Sequence, residues 1–125
     1  MLVVDGSGSM EDPFGGGTRW TELETALVDP GAGLVAELEA GVEFGLTIYQ
    51  RGNVATCPTL TQVPIALHNY AAIDAAYRVI GPNGGTPTGE ALASVVSMMP
   101  DVNPIPDVEQ EPHIIILATD GMPNG

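Results

Sequence analysis

The chain has 125 residues, 44% of them hydrophobic, which is enough for one domain with a core of its own. Three arginines and no lysine stand against sixteen acidic residues, so the formal net charge is −13. A surface of that sign repels phosphate backbones and attracts cations, which argues against nucleic acid as a partner and favours a bound divalent metal. No stretch approaches the roughly 20 apolar residues that a membrane helix needs.

The first half of the chain predicts two strands separated by helices. Residues 1–4 are short and β-branched and predict a buried strand, whereas the proline and glycines of residues 11–18 predict a loop. A helix begins at residue 19, and residues 34–41 add a further helical turn or two. That first helix carries apolar side chains at helical spacing, namely Trp20, Leu23 and Leu27. Residues 42–50 predict a second strand with one apolar face, made by Val42, Phe44, Leu46 and Ile48.

The second half continues the alternation of strands and helices. Residues 51–67 contain two prolines and predict the return arm of a hairpin at the sheet edge. Helices are predicted over residues 71–80 and 88–99, and the second has one apolar face, made by Leu92, Val95, Val96 and Met99. Residues 100–112 predict an exposed loop, and the apolar run 113–118 predicts a central parallel strand covered on both faces. This order favours an α/β fold, with a mostly parallel central sheet flanked by helices.

Oxygen-bearing side chains follow the first and the last of these strands, and a third oxygen-rich loop, residues 84–90, leads into a helix. In open α/β sheets, ligand sites lie beyond the carboxyl ends of the strands. The candidate ligands in the three loops are Asp5, Ser7, Ser9, Thr86 and Asp120. Two carboxylates and three hydroxyls are hard oxygen donors, which suit Mg²⁺, Mn²⁺ or Ca²⁺ better than zinc or copper.

Two other interpretations of the first loop fit the sequence less well. A phosphate cradle lacks its lysine, and the glycine spacing matches neither nucleotide fingerprint. A nucleophilic serine needs a base, yet His68 falls in a loop and His113 starts a strand at the end opposite the site. A hydrolase elbow is also missing around the serines. Catalysis is therefore the less favoured hypothesis.

Several other residues have simpler structural interpretations. Thr88 is expected to cap the helix that follows it, and Trp20 to pack rather than to bind. Cys57 is expected to be partly buried on a strand or loop, with a partner thiol outside the chain left open. Met10 and Met122 flank two of the loops, and a partner surface around them is the alternative to direct binding through a metal.

The three loops together resemble the von Willebrand factor type A domain. Its metal-ion-dependent adhesion site is matched in order, context and spacing by Asp5-x-Ser7-x-Ser9, Gly84-Gly85-Thr86 and Thr119-Asp120-Gly121. The resemblance implies a doubly wound fold with a hairpin edge strand. It also implies that the two serines and the threonine contact the metal, that the aspartates act directly or through water, and that a carboxylate from a protein partner completes the coordination.

The resemblance also sets expectations about the extent and role of the chain. Residues 1–125 are interpreted as one bacterial-type domain, truncated at the C-terminal flank because the family continues past the last aspartate loop. The expected function is cation-dependent protein interaction or adhesion without catalysis. The alternatives are a metal-assisted hydrolase and a subunit of a larger enzyme complex. An extracellular or cell-envelope location is favoured.

Overall fold

The computed structural model describes residues 1–52, 55–99 and 112–121. The predicted loop of residues 100–112 therefore lies almost wholly outside the described residues, as does Met122. In chain order the elements are β1 (Leu2–Asp5), β2 (Pro13–Phe14), β3 (Gly17–Thr18), α1 (Arg19–Val28), α2 (Leu34–Leu38), β4 (Phe44–Gln50), β5 (Thr59–Ala66), α3 (Tyr70–Val79), α4 (Thr88–Met98) and β6 (Ile116–Ala118). A short 3-10 helix, Gly8–Glu11, follows β1.

The main sheet has the strand order β5-β4-β1-β6 within the described residues. Strand β1 runs parallel to both β4 and β6, whereas β5 pairs antiparallel with β4. The predicted hairpin arm is therefore an edge strand, and its Pro64 is tolerated because only one side of the strand needs hydrogen bonds to a neighbour. The α/β fold class with a mostly parallel, helix-flanked sheet is confirmed.

Successive residues of the central strands point to opposite faces of the sheet, and both faces are buried. Leu2 and Val4 pack into a large core with α1, α2 and α3. Val3 points the other way and packs with Tyr49 against α4. The sequence predicted one apolar face for β4. The structure buries the second face of this strand as well, so the residues between the predicted apolar positions are also buried.

Trp20 packs within the protein, as expected. It is 7% exposed, and its ring stacks on Tyr77 with the ring centroids 4.3 Å apart. The Tyr77 hydroxyl donates a hydrogen bond to the Trp20 carbonyl at 3.3 Å. This contact fixes the first turn of α1 against α3, and α1 begins directly beside the candidate site.

Some sequence predictions about these elements are wrong. The run 113–118 forms only the three residues of β6, at an edge of the described sheet, where Ile116 is 47% exposed because nothing described pairs with its outer side. Val42 precedes β4 and is exposed, and Val96 points outward from α4 while Ala91 packs inward. The predicted loop 11–18 contains the two-residue ladder of β2 and β3.

Candidate metal site

The carboxyl ends of β1 and β6 lie side by side, because the two strands are parallel neighbours. Val4 pairs in register with Ala118, so the residues that follow each strand emerge at the same edge of the sheet. Asp5 is fully buried, and the side chain of Asp120 is 6% exposed. Two carboxylates from opposite ends of the sequence are thus brought into one shielded place.

Asp5 accepts a hydrogen bond at each of its two carboxylate oxygens. The backbone N–H of Ser7 donates to Oδ1 at 2.8 Å, which folds the loop back onto the end of β1. The hydroxyl of Thr119 donates to Oδ2 at 2.8 Å. Both donors are neutral, and the ion pairs among the described residues do not include Asp5.

The two serines connect the first loop to Asp120 through their hydroxyls. Ser7 Oγ lies 3.2 Å from Ser9 Oγ, and Ser9 Oγ donates to Asp120 Oδ1 at 3.0 Å. Ser7 is buried, whereas Ser9 is exposed on the short 3-10 helix. The side-chain oxygens of Ser7, Ser9 and Asp120 are therefore connected directly, and Asp5 joins them through the backbone N–H of Ser7.

The loop that carries Thr86 is held against the first loop by backbone hydrogen bonds. Asn83 N donates to the Gly6 carbonyl at 2.8 Å, and Gly8 N donates to the Gly84 carbonyl at 3.0 Å. Gly84 has a φ of +76°, a left-handed conformation that favours glycine. Thr86 is 5% exposed, so the fifth predicted ligand is a buried residue of a loop that contacts the loop of Asp5, Ser7 and Ser9.

Gln50 is a residue of this region that the sequence did not single out. Its side-chain amide donates to the Gly6 carbonyl at 3.0 Å and to the Gly81 carbonyl at 2.8 Å, so it joins the first and third loops. Its position at the carboxyl end of β4, beside β1, is the signal that could have identified it.

Arg19 was also missed, because its role depends on a contact between residues far apart in the chain. Its Nη1 donates to Asp120 Oδ2 at 2.8 Å. The same side chain lines a groove of about 580 Å³ beside the site, together with Phe14, Leu23 and Leu117. Nothing in the local sequence around Arg19 distinguishes it from a surface residue on the first turn of a helix.

The structure also places four other residues that the sequence singled out. Thr88 does not cap α4; its hydroxyl lies 2.9 Å from that of Tyr49. Met10 is 3% exposed and belongs to the core, so it is not an exposed flank of the first loop. Cys57 is exposed. His113 lines a different groove with Met1, away from the carboxyl ends of the strands.

A comparison with known protein families agrees with this arrangement. The family model for the von Willebrand factor type A domain matches residues 1–122. The chain belongs to this family. Domains of the family generally mediate protein interactions. No curated protein and no solved structure matches the chain in the corresponding searches.

The oxygen atoms of this von Willebrand factor type A domain fit a hard divalent cation. Asp5 is a buried carboxylate whose described partners are neutral, and a buried carboxylate is stabilised by a nearby positive charge. The described residues contain no group of three or more histidine, cysteine, aspartate or glutamate side chains placed to hold a metal. Any cation at this edge would therefore depend on hydroxyl ligands as well as on the two aspartates.

The described part of the domain contains no helix long and apolar enough to cross a membrane. This agrees with the hydropathy of the sequence.

Proposed function

We propose that the chain is a divalent-cation-dependent protein-interaction domain that takes an acidic side chain from its partner. The single observation that carries this proposal is the convergence of Asp5, Ser7, Ser9 and Asp120 through direct hydrogen bonds at the edge of the sheet. The loop that carries the buried Thr86 is hydrogen-bonded to the loop of Asp5, Ser7 and Ser9. The cation, Mg²⁺, Mn²⁺ or Ca²⁺, would supply an open coordination position for a carboxylate.

Each of the five residues has a role in this proposal. Ser7, Ser9 and Thr86 offer neutral hydroxyl ligands, whereas Asp5 and Asp120 balance the charge of the cation directly or through water. A cation held largely by neutral ligands keeps more of its positive charge for an outside anion than one surrounded by carboxylates. The domain would therefore bind a protein-borne acidic group without a chemical step.

Calorimetric titration of the chain with Mg²⁺, Mn²⁺ and Ca²⁺ tests the cation. One site is expected, and Asp5→Ala should abolish it, because the variant loses both charge balance and a hydrogen-bond acceptor for the Ser7 loop. Asp74→Ala is the matched control: it also removes one carboxylate, from an ion pair with Arg78 on α3, and should bind cations like the unaltered chain. Unchanged binding in a folded Asp5→Ala variant would refute the assignment.

A pull-down with and without a chelator tests the interaction. Recovered partners should be lost with the chelator and return with divalent cation. Thr86→Ala should weaken partner binding more than cation binding, and replacing acidic residues of the partner one at a time should identify the one that binds. Partial loss with the chelator, and no effect of any acidic residue, would favour a surface beside the loops instead. A phosphatase and esterase screen tests the metal-assisted hydrolase, for which turnover would be required.

A further inference from the structure

Arg19 provides the one positive charge that the described ion pairs place at the candidate site. Its Nη1 donates to Asp120 Oδ2 at 2.8 Å, to Asp12 Oδ2 at 3.0 Å and to the Ser9 carbonyl at 3.0 Å. The Asp120 side chain is nearly buried, so this ion pair is shielded more from water than the pair with Asp12, whose side chain is 61% exposed. Arg19 therefore contacts a predicted cation ligand at close range.

The two oxygens of Asp120 have different partners. Oδ1 accepts from the Ser9 hydroxyl, which belongs to the group of predicted ligands, whereas Oδ2 accepts from the guanidinium of Arg19. Arginine stays protonated throughout the accessible pH range. The guanidinium of Arg19 therefore partly neutralises Asp120 at every accessible pH, which reduces the negative charge that Asp120 offers to a cation.

Arg19 has donors besides Nη1, and its side chain lines the groove. The hydrogen bonds it forms with described residues all leave from Nη1, and its Nε and Nη2 donate to none of those residues. The side chain is 35% exposed and lines the groove beside Asp120 and Phe14. The planar fork of a guanidinium matches the two oxygens of a carboxylate.

We infer that Arg19 determines the ligand preference of this site, lowering its affinity for the divalent cation and raising the affinity of the cation-loaded site for a carboxylate. The inference rests on the proposed function. Arg19 repels the cation and neutralises Asp120, and both effects leave the loaded site more positive toward an incoming acidic group. Its Nε and Nη2 then bind the same acidic group directly.

Titration with Mg²⁺ alone tests the first half of this inference. Arg19→Gln should bind Mg²⁺ about three- to tenfold more tightly, because a like charge has been removed from beside the cation. Arg19→Lys keeps the positive charge and should bind Mg²⁺ with nearly the affinity of the unaltered chain. Arg78→Gln changes the net charge equally, but Arg78 pairs with Asp74 and Glu24 and with none of the predicted ligands, so its Mg²⁺ affinity should stay close to that of the unaltered chain because salt screens the charge.

Binding of a labelled peptide tests the second half. The peptide has blocked ends and a single aspartate, and fluorescence anisotropy follows it at saturating Mg²⁺. Arg19→Gln should bind the aspartate peptide about tenfold more weakly, whereas Arg78→Gln should bind it like the unaltered chain. The peptide with asparagine in place of aspartate should bind to none of the proteins. Free acetate in excess should compete with the aspartate peptide if the carboxylate alone is recognised.

The outcomes separate this inference from the proposed function. If the unaltered chain binds no divalent cation, the proposed function fails and the inference fails with it. If the unaltered chain binds Mg²⁺ but both Arg19 variants bind it more weakly, Arg19 only positions Asp120 and the inference is overturned. Equal peptide affinity in Arg19→Gln and the unaltered chain would also overturn it, and circular dichroism of each variant confirms that folding is intact.

Discussion

The hydroxyls of Tyr49 and Thr88 lie 2.9 Å apart in the buried layer between the sheet and α4. Tyr49 is opposite Asp5 in the parallel pairing of β4 with β1, and Thr88 begins α4 two residues after Thr86. The contact therefore fixes the start of α4, and with it the third loop, to the strand beside the candidate site. Both residues are almost completely removed from solvent.

Tyr49→Phe should lower the free energy of unfolding by about 1 kcal/mol. The loss should reach about 3 kcal/mol if the Thr88 hydroxyl is left without a partner. Thr88→Val removes the other hydroxyl with little change of shape. The double variant should be less destabilised than the sum of the two single variants, because both single variants remove the same hydrogen bond. Urea unfolding of the four proteins gives this coupling, and strict additivity would show that the hydroxyls do not interact.

Stability should fall as the pH rises above about 10, the ordinary tyrosine pKa. Burial raises the pKa of Tyr49, and burial together with the charge of Glu24 raises the pKa of Tyr77. The unfolded chain then loses tyrosine protons at a pH where the folded chain retains them, so the unfolded state gains stability. Each such tyrosine contributes a slope of up to about 1.4 kcal/mol per pH unit.

Urea unfolding between neutral pH and pH values above the ordinary tyrosine pKa measures that slope. Tyr49→Phe should reduce it, and Tyr77→Phe should reduce it separately, because each variant removes one proton that the unfolded chain alone releases. A free energy of unfolding that stays constant through this range would contradict the prediction.

Gly6→Ala should destabilise the site loops. A Cβ at this position would lie 2.8 Å from Gln50 Cγ and 3.1 Å from the Tyr49 carbonyl oxygen, so Gln50 would have to leave its contacts with the Gly6 and Gly81 carbonyls. Overpacking of this kind costs about 1–3 kcal/mol. Cation affinity should fall as well, because Gln50 joins the first and third loops.

Gly8→Ala is the matched control for this substitution. Its Cβ would lie 3.6 Å from the Gly84 carbonyl oxygen, an ordinary contact, so stability should change by less than about 1 kcal/mol. Thermal unfolding and Mg²⁺ titration of both variants measure the difference. Equal effects at the two positions would show that space around Gly6 is not limiting.

The outer edge of β6 should make the 125-residue chain self-associate. Ile114 and Ile116 are 60% and 47% exposed, and within the described residues β6 pairs on one side only. Exposed apolar edges of this kind template further pairing. Sedimentation velocity should show association that increases with concentration and that is reduced by Ile114→Lys with Ile116→Lys.

Val79→Lys is the control for the edge variants. Val79 is 77% exposed at the end of α3, so the substitution also replaces an exposed apolar side chain with a lysine, but away from β6. Association should persist in this variant. An unaltered chain that stays monomeric over the whole concentration range would show that the outer edge of β6 does not cause self-association.

The sequence alone predicted several of the elements and proposed the candidate ligands. The apolar patterns of β1 and β4 and the helical spacing of α1 are local properties, so they predicted these elements to within a few residues. The spacing of Asp5, Ser7 and Ser9 placed three oxygens at the end of a strand. The rule that parallel strands present their carboxyl ends at one edge then brought Asp120 beside them.

Other features depended on packing between distant segments, which local patterns do not record. Val96 was expected to face inward, but α4 buries Ala91 and Val95 because those side chains face the sheet. The run at 113–118 is apolar enough for a central strand, yet its place at an edge is set by which strands pair. Thr88 is of a residue type that commonly caps helices, but its side chain is hydrogen-bonded to the buried hydroxyl of Tyr49 on β4 instead.

The charge environment of the site was likewise decided only by the tertiary structure. Arg19 and Asp120 are separated by 101 positions in the chain, and nothing near either residue in the sequence specifies the other. Their ion pair exists because α1 packs beside the end of β6 and directs the guanidinium at a carboxylate that the fold has nearly buried. The sequence therefore determined which oxygen-bearing side chains are candidates for binding a cation, whereas the fold determined which positive charge lies next to Asp120, because electrostatic interactions depend on distance in space.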